Sequence, residues 1–413
     1  MSLEIRTITD SELTGWLRAM FVGFLDTPEV TDEEVEIRRG GIALDRTQGA
    51  FEDGRCVATF RSFDQQLTVV GGSSVPVNAI TNVTVSPTHR RRGLLSRMME
   101  EDLARAKERG DVAATLIAME YQIYGRYGFG PATWVSNWQI DVLRAGLDPR
   151  WSGPDDGGSI DLVDGDAVRV AGPELHDRLR VTRHGVVSRD KRWWQFNTGE
   201  LSLPSQPWKF PHQAFYRTDQ GRVDGLVVYS TGDTWHDQLP DGEARVRSLI
   251  AASPAAERAL WHYLLSVDWI TKVSSGFRAP DDLLPLFLPN PRAARITTQV
   301  DFMWVRLLDV PRALEARAYR VPGSLVLDVH DGLGLSGGRF RLDAQADGAS
   351  CSATTLPAEL SLGLSGLSAL YLGDESASRL MALGLAEEHR PGAAATADAL
   401  LRTASRPWCP DYF

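Results

Sequence analysis

The stretch Asn82–Arg109, NVTVSPTHRRRGLLSRMMEEDLARAKER, constrains this chain more than any other. Val83, Thr84 and Val85 form a β-branched run and predict the end of a strand. Ser86-Pro87-Thr88 stops it, because proline offers no ladder N–H and pushes its predecessor to extended backbone. After His89-Arg90-Arg91-Arg92-Gly93 a helix opens at Leu94. Leu94, Leu95, Met98, Met99, Leu103 and Ala106 recur at helical period on one face, with Glu100, Glu101, Lys107 and Glu108 largely off it. Strand, basic turn with glycine and helix N-terminus together make an anion site: the first helical N–H groups lack acceptors, the dipole favours negative charge, and Gly93 admits close approach to the backbone. The bland alternative is a solvated basic cap on an ordinary amphipathic helix.

A second stretch narrows the choice. Ile123-Tyr124-Gly125-Arg126-Tyr127-Gly128-Phe129 predicts a brief helix ending in a turn at Gly128. Arg90-x-x-Gly93-x-Leu95 after a Val-x-Val strand resembles the acyl-CoA pyrophosphate signature of the GNAT N-acetyltransferases, although that signature usually has Gly or Ala where Leu95 stands. Tyr124-x-x-x-Gly128-Phe129 resembles the second GNAT landmark, whose tyrosine hydroxyl lies beside the CoA sulfur. Taken together, SPTHRRRGLL and IYGRYGFGPAT are similar to the enhanced-intracellular-survival (Eis) family, which multiply acetylates aminoglycosides and other amines.

Composition excludes several other classes. A formal charge of −10 and a pI near 5.4 argue against a nucleic-acid binder, and HRRR has no interleaved aromatic residues. The same acidity favours a cationic substrate, provided acidic side chains converge on its pocket. Cys56, Cys351 and Cys409 are far apart and odd in number, so neither a disulfide framework nor a metal site is expected. No apolar run reaches the ~20 residues of a membrane helix, and MSLEIRTITDSEL has no apolar core of a signal peptide. A cytoplasmic protein without membrane contact is expected.

The order of elements predicts an α/β (α+β) chain in three parts. In residues 1–147, strands, including a hairpin through Asp53-Gly54, precede the helix Leu94–Arg109 and a buried strand over 112–119. Residues 148–158, rich in Pro, Gly and Asp, read as a linker. In 159–300 a strand-like segment over 159–170 and a helix over 173–183 come first. A charged, aromatic stretch over 188–196 suits packing, though its adjacent tryptophans can wall a pocket. Then a strand (245–251), a helix (254–265) and an apolar run (267–273) repeat the order around Val83. The second copy, SPAAERALWHYLL, has no arginine run and no glycine where Gly93 stands, so it is read as structural. Residues 301–413 change pattern again. The Eis resemblance implies two tandem GNAT-like domains, the second degenerate, followed by a sterol-carrier-protein-like domain.

The same resemblance implies site residues. Val83, Thr84 and Val85 would pair with pantetheine amides, and Arg90, Arg91, Arg92, Gly93, Leu94, Leu95 and Ser96 would form the pyrophosphate turn of acetyl-CoA. Met119 and Glu120 would line the cofactor at the next strand's end, Met119 replacing a small residue. Tyr124 would be the general acid, a phenol of ordinary pKa ~10 able to protonate a developing thiolate. The chain's last residues are aromatic, and Phe413 fits the family pattern in which a terminal α-carboxylate enters the active site and accepts the amine proton. That carboxylate is a weak base in water, pKa ~3.3–3.7, and burial would raise it. Asp26 matches an acidic substrate position, whereas Glu36 stands where the pattern carries an aromatic residue. The expected partner is a small-molecule amine, such as an aminoglycoside or polyamine, and the expected assembly a homo-oligomer, a hexamer by family resemblance. No metal is expected. Rival readings are a non-catalytic acyl-CoA-binding or sensing protein and a lipid carrier acting through the C-terminal domain.

Overall fold

The computed structural model describes residues 3–148, 154, 157–232 and 235–413. The first part contains β1 (Leu3–Thr7), α1 (Leu13–Gly23), α2 (Asp32–Arg39), β2 (Thr47–Glu52), β3 (Arg55–Thr68), β4 (Ser74–Val85), α3 (Leu94–Arg109), β5 (Ala113–Ile117), α4 (Tyr121–Tyr124), β6 (Gly130–Pro131) and β7 (Trp134–Asp141). Asp53 and Gly54 both take left-handed backbone, φ 51° and 80°, which is what a two-residue turn between β2 and β3 requires. β1 to β4 form an antiparallel meander, and β4 then pairs in parallel with β5, α3 supplying the crossover. The apolar face of α3 seats itself on this sheet: Leu94, Met98, Met99, Leu103 and Ala106 are all buried. Each large side chain so removed from water stabilises the domain by about 1.5–3 kcal/mol. Leu95 and Ser96 are only partly buried, because they face the cleft described below.

The second sheet repeats the first. Strands Ser159–Leu162, His212–Arg217, Val223–Gly232 and Gly242–Ala251 form its meander, and the last pairs in parallel with Ile270–Arg278 across the helix Pro254–Ser266. The sheets are completed by a reciprocal exchange. Met303–Leu307 enters the first sheet between β5 and β6, whereas β7 enters the second between Ile270–Arg278 and Ala294–Asp301. Each seven-stranded sheet therefore borrows a strand across the limits expected at 147 and 300. Most of the expected linker, 148–158, lies outside the described residues.

The third part is a five-stranded sheet, Gly348–Ala353, Gly338–Gln345, Gly323–His330, Leu360–Gly363 and Ala386–Glu388 in spatial order, with helices Val310–Ala316, Leu364–Leu370, Ala377–Ala382 and Ala393–Leu401. Its core is continuous with that of the first two parts, joining Leu367 and Leu370 to Met303 and Val305.

One expectation is corrected here. The strand-like segment over 159–170 is strand only as far as Leu162, and a helix begins at Gly165 and continues through Pro173 to Arg180. Asp164 accepts the Ala167 N–H at 2.9 Å, and this N-cap prevails over the strand preference of Val168 and Val170.

Candidate active site

Two cavities meet beside β4. The first, of about 730 Å³, opens where β4 and β5 part company. Their parallel pairing ends at Ile80 opposite Leu116, yet β4 runs on to Val85. A bulge helps part them. Thr59 faces Thr84 while Arg61 faces Thr81, so β4 carries an extra residue there, and Asn82 adopts φ 53°. Thr84, which also lines the cavity, is held by its hydroxyl 2.7 Å from that of Thr59. The stretch Thr81–Val85 thus presents a backbone edge to the cavity with no strand beside it.

The basic turn closes one end. Arg91 and Gly93 have φ of 62° and 74°, and no side chain caps α3. Among the described residues no protein group accepts the N–H groups of Leu94, Leu95 or Ser96. Successive amides in such a turn at a helix N-terminus make an anion-binding concavity. Arg90, Arg91, Gly93, Leu94, Leu95 and Ser96 all line the cavity. Ser96 is tied to Tyr127 by a 2.8 Å hydroxyl contact, fixing the first turn of α3 against the segment after α4. Arg92 behaves differently from expectation. It turns to Glu52 at the β2–β3 hairpin, 3.1 Å away, and does not line the cavity; His89, which does, is 2.8 Å from the same carboxylate.

Met119, Glu120 and Tyr124 lie along the opposite wall. Met119 is 78% exposed, consistent with a rim position. Tyr124 packs edge-on against Phe129 at 6.2 Å, and among the described residues its hydroxyl has no hydrogen-bond partner. Burial, reinforced by the Glu120 carboxylate, pushes its phenol up to about 12. A phenol so shifted stays protonated at neutral pH and is suited to donate a proton rather than accept one.

The second cavity, of about 640 Å³, lies on the other side of β4 and shares Thr81, Asn82, Tyr412 and Phe413 with the first. The C-terminal segment reaches this junction along the second sheet. Trp408 donates its indole N–H to the Phe277 carbonyl at 3.1 Å, Asp411 pairs with Arg189 at 2.9 Å, and the Tyr412 ring meets Phe302 at 4.8 Å. Phe413 then packs edge-on against Phe63 at 6.1 Å. Tyr124 and Phe413, 289 positions apart in the sequence numbering, line one cavity.

Asp26 is not among the residues that line the two cavities. It is exposed in the turn after α1, its N–H bonded to Phe21. Glu36 is likewise outside, beside Arg39 on the surface of α2. The second cavity instead takes its walls from Arg61 and Phe63 on β3, to which no motif points, and from Arg189, Arg192, Trp193 and Phe196 of the charged, aromatic stretch, whose other tryptophan, Trp194, packs in the core. The paired tryptophans were the available signal.

Comparison with known proteins agrees with this layout. An acetyltransferase (GNAT) domain family matches residues 4–132, a second acetyltransferase (GNAT) domain family matches 185–307, and a sterol carrier protein domain family matches 310–410. An uncharacterised N-acetyltransferase of Streptomyces avermitilis is 62% identical over 412 residues, covering 100% of this chain and 99% of its own. The N-acetyltransferase Eis of Mycobacterium tuberculosis is 32% identical over 396 residues, covering 92% of each chain. The crystal structure of Eis1 from Mycobacterium abscessus superposes with a TM-score of 0.86 at 31% identity, over 99% of this chain and 100% of that one.

Proposed function

Since the chain belongs to the Eis family of GNAT N-acetyltransferases, we propose that it transfers the acetyl group of acetyl-CoA directly to a small-molecule amine at the junction of the two cavities. The observation that carries this reading is the meeting of a phosphate-competent cleft and a separate side-chain-lined cavity at Thr81, Asn82, Tyr412 and Phe413. The N–H groups of the α3 turn, with Arg90 and Arg91, hold the pyrophosphate. The unpaired edge of β4, Val83 to Val85, holds the pantetheine amides as a neighbouring strand would.

The acceptor enters from the second cavity as a neutral amine. Its nitrogen attacks the thioester carbonyl carbon, and a backbone N–H near Asn82–Val83 receives the oxyanion charge. The C–S bond then breaks. The thiolate takes a proton from Tyr124, and the amine proton passes to the α-carboxylate of Phe413, directly or through water. The products are the N-acetylated amine and free CoA thiol.

The test is thiol release from acetyl-CoA by the full chain across a panel of amines, with product masses confirming one acetyl group per thiol released. Amine-dependent release is the expected result. Acetyl-CoA binding with no amine-dependent release from any member would leave an acyl-CoA-binding protein and overturn the proposal.

A further inference from the structure

The second cavity is cationic. Arg38, Arg61, Arg189, Arg192, Lys209 and Arg247 line it against only two side-chain carboxylates, Asp64 and Asp190. Those two are engaged: Asp64 pairs with Arg46, and Asp190 accepts the Trp193 N–H at 2.7 Å as an N-cap. Arg38 is neutralised by Glu34 at 2.6 Å, and Arg189 by Asp411 at 2.9 Å.

Arg61 and Arg192 have no ion-pair partner among the described residues. Each is anchored by backbone alone. Arg61 donates to the Gly41 carbonyl at 2.5 Å, and Arg192 donates to the Ile37 carbonyl. Arg192 lies across Gly40-Gly41, where a Cβ on either glycine would collide with the guanidinium. Two buried donors have no partner among the described residues: the Arg61 Nε, and Nη1 of Arg189, whose side chain is 2% exposed. Burial and the neighbouring guanidiniums of Arg192 and Arg38 push Arg61 down to about 10, which still leaves it charged at neutral pH. Unpartnered buried donors of this kind cost stability unless a ligand satisfies them. Phe63, Trp193 and Phe196 add flat apolar walls, with the Arg189 guanidinium 3.8 Å from the Trp193 ring centre. A polycation would meet the wrong sign of field here.

Resting on the acetyl-transfer reading above, we propose that the acceptor is an amine that also carries an oxyanion, a carboxylate or a phosphate, on an apolar or aromatic body. Arg61 and Arg192 bind the oxyanion by the two-pronged geometry that guanidinium groups offer. The amine end of the molecule then faces Asn82 and Phe413.

Steady-state kinetics of the full chain with matched amines tests this. The set holds an aryl amino acid, an ω-amino acid and an aminoalkyl phosphate, each beside its amide or neutral ester, together with a linear polyamine and an aminoglycoside. The expected result is a kcat/KM about tenfold or more higher for the oxyanion-bearing member of a pair, the factor of one lost charge-assisted hydrogen bond. The carboxylate and phosphate arms show which oxyanion is preferred. In Arg61→Gln and Arg192→Gln the preference should fall to within about twofold through KM, with kcat changing less. Turnover in which polyamine, aminoglycoside or neutral amides outcompete the anionic amines overturns this inference and leaves acetyl transfer standing. Absence of turnover with every amine overturns both. Because the wild-type comparison needs no variant, a misfolded substitution leaves the test intact.

Discussion

The two GNAT halves share one plan, a meander, a crossover helix and a parallel strand pair, but use the gap between the paired strands in opposite ways. In the first half the gap is a cleft of about 730 Å³ closed by a glycine turn with unsatisfied helix N–H groups. In the second it shrinks to about 280 Å³. Ser253 caps the helix there, accepting the Ala256 N–H at 3.2 Å, and Glu257 in the first helical turn pairs with Arg278. Arg278, 4% exposed, also binds Asp282 at 2.9 Å and the Leu249 carbonyl at 2.8 Å, and lies 4.9 Å from the centre of the Trp408 ring system. Where the first half leaves room for an anion, the second supplies its own carboxylate and a cation to match. The difference shows how one strand gap can stay open while its counterpart is filled and holds a chain segment: Trp408 rests on the filled gap, and the residues after it are carried to the open one.

The largest effect should follow from displacing what the second half delivers. Extending the chain beyond Phe413 by a short tag should lower kcat about 10²–10⁴-fold, the range for losing a positioned proton acceptor, with acetyl-CoA affinity unchanged by calorimetry. Next comes the filling of the second gap. Arg278→Ala leaves the buried Asp282 and the partly buried Glu257 without their cation and should cost about 3–5 kcal/mol in urea unfolding. Loss of activity in excess of the unfolded fraction would mark release of the C-terminal segment, whereas wild-type stability would show that the gap does not depend on the pair.

Within the open cleft, Tyr124→Phe should lower kcat about 10²-fold with acetyl-CoA affinity little changed. The acid must be protonated to act, and its phenol is raised to about 12, so the wild-type kcat profile should show no Tyr124-linked fall below about pH 11. A wild-type rate in the variant would remove the tyrosine from the chemistry. The smallest effect belongs to the turn. Gly93→Ala meets no protein atom within 4 Å but must hold φ 74°, so acetyl-CoA binding should weaken about tenfold, as 1–2 kcal/mol of left-handed strain implies. The corresponding Ser253→Gly change in the other half should leave acetyl-CoA binding untouched.

Features that depend on near neighbours were legible in the chain alone. The strand before Pro87, the amphipathic face of α3 and the left-handed glycine at its start are local, because backbone conformation and helical period are set by adjacent residues. The degeneracy of the second half was legible for the same reason, since the missing arginines and glycine are absent from a few consecutive positions. Which strands completed which sheet was settled by long-range packing. Met303–Leu307 and β7 carry the same signals as any buried strand, and a two-residue period names no partner. The family resemblance puts Arg92 in the turn, but Glu52 on a hairpin far upstream captures it. Asp26 matches a motif position, yet it lines neither cavity, although Gly23 and Phe24 just before it line the first. The cationic character of the second cavity was hidden most completely. Net charge is a sum over the whole chain, whereas the field in a cavity is set by the few side chains that distant segments bring together, here Arg61 from one sheet strand and Arg189 and Arg192 from the loop and helix opposite.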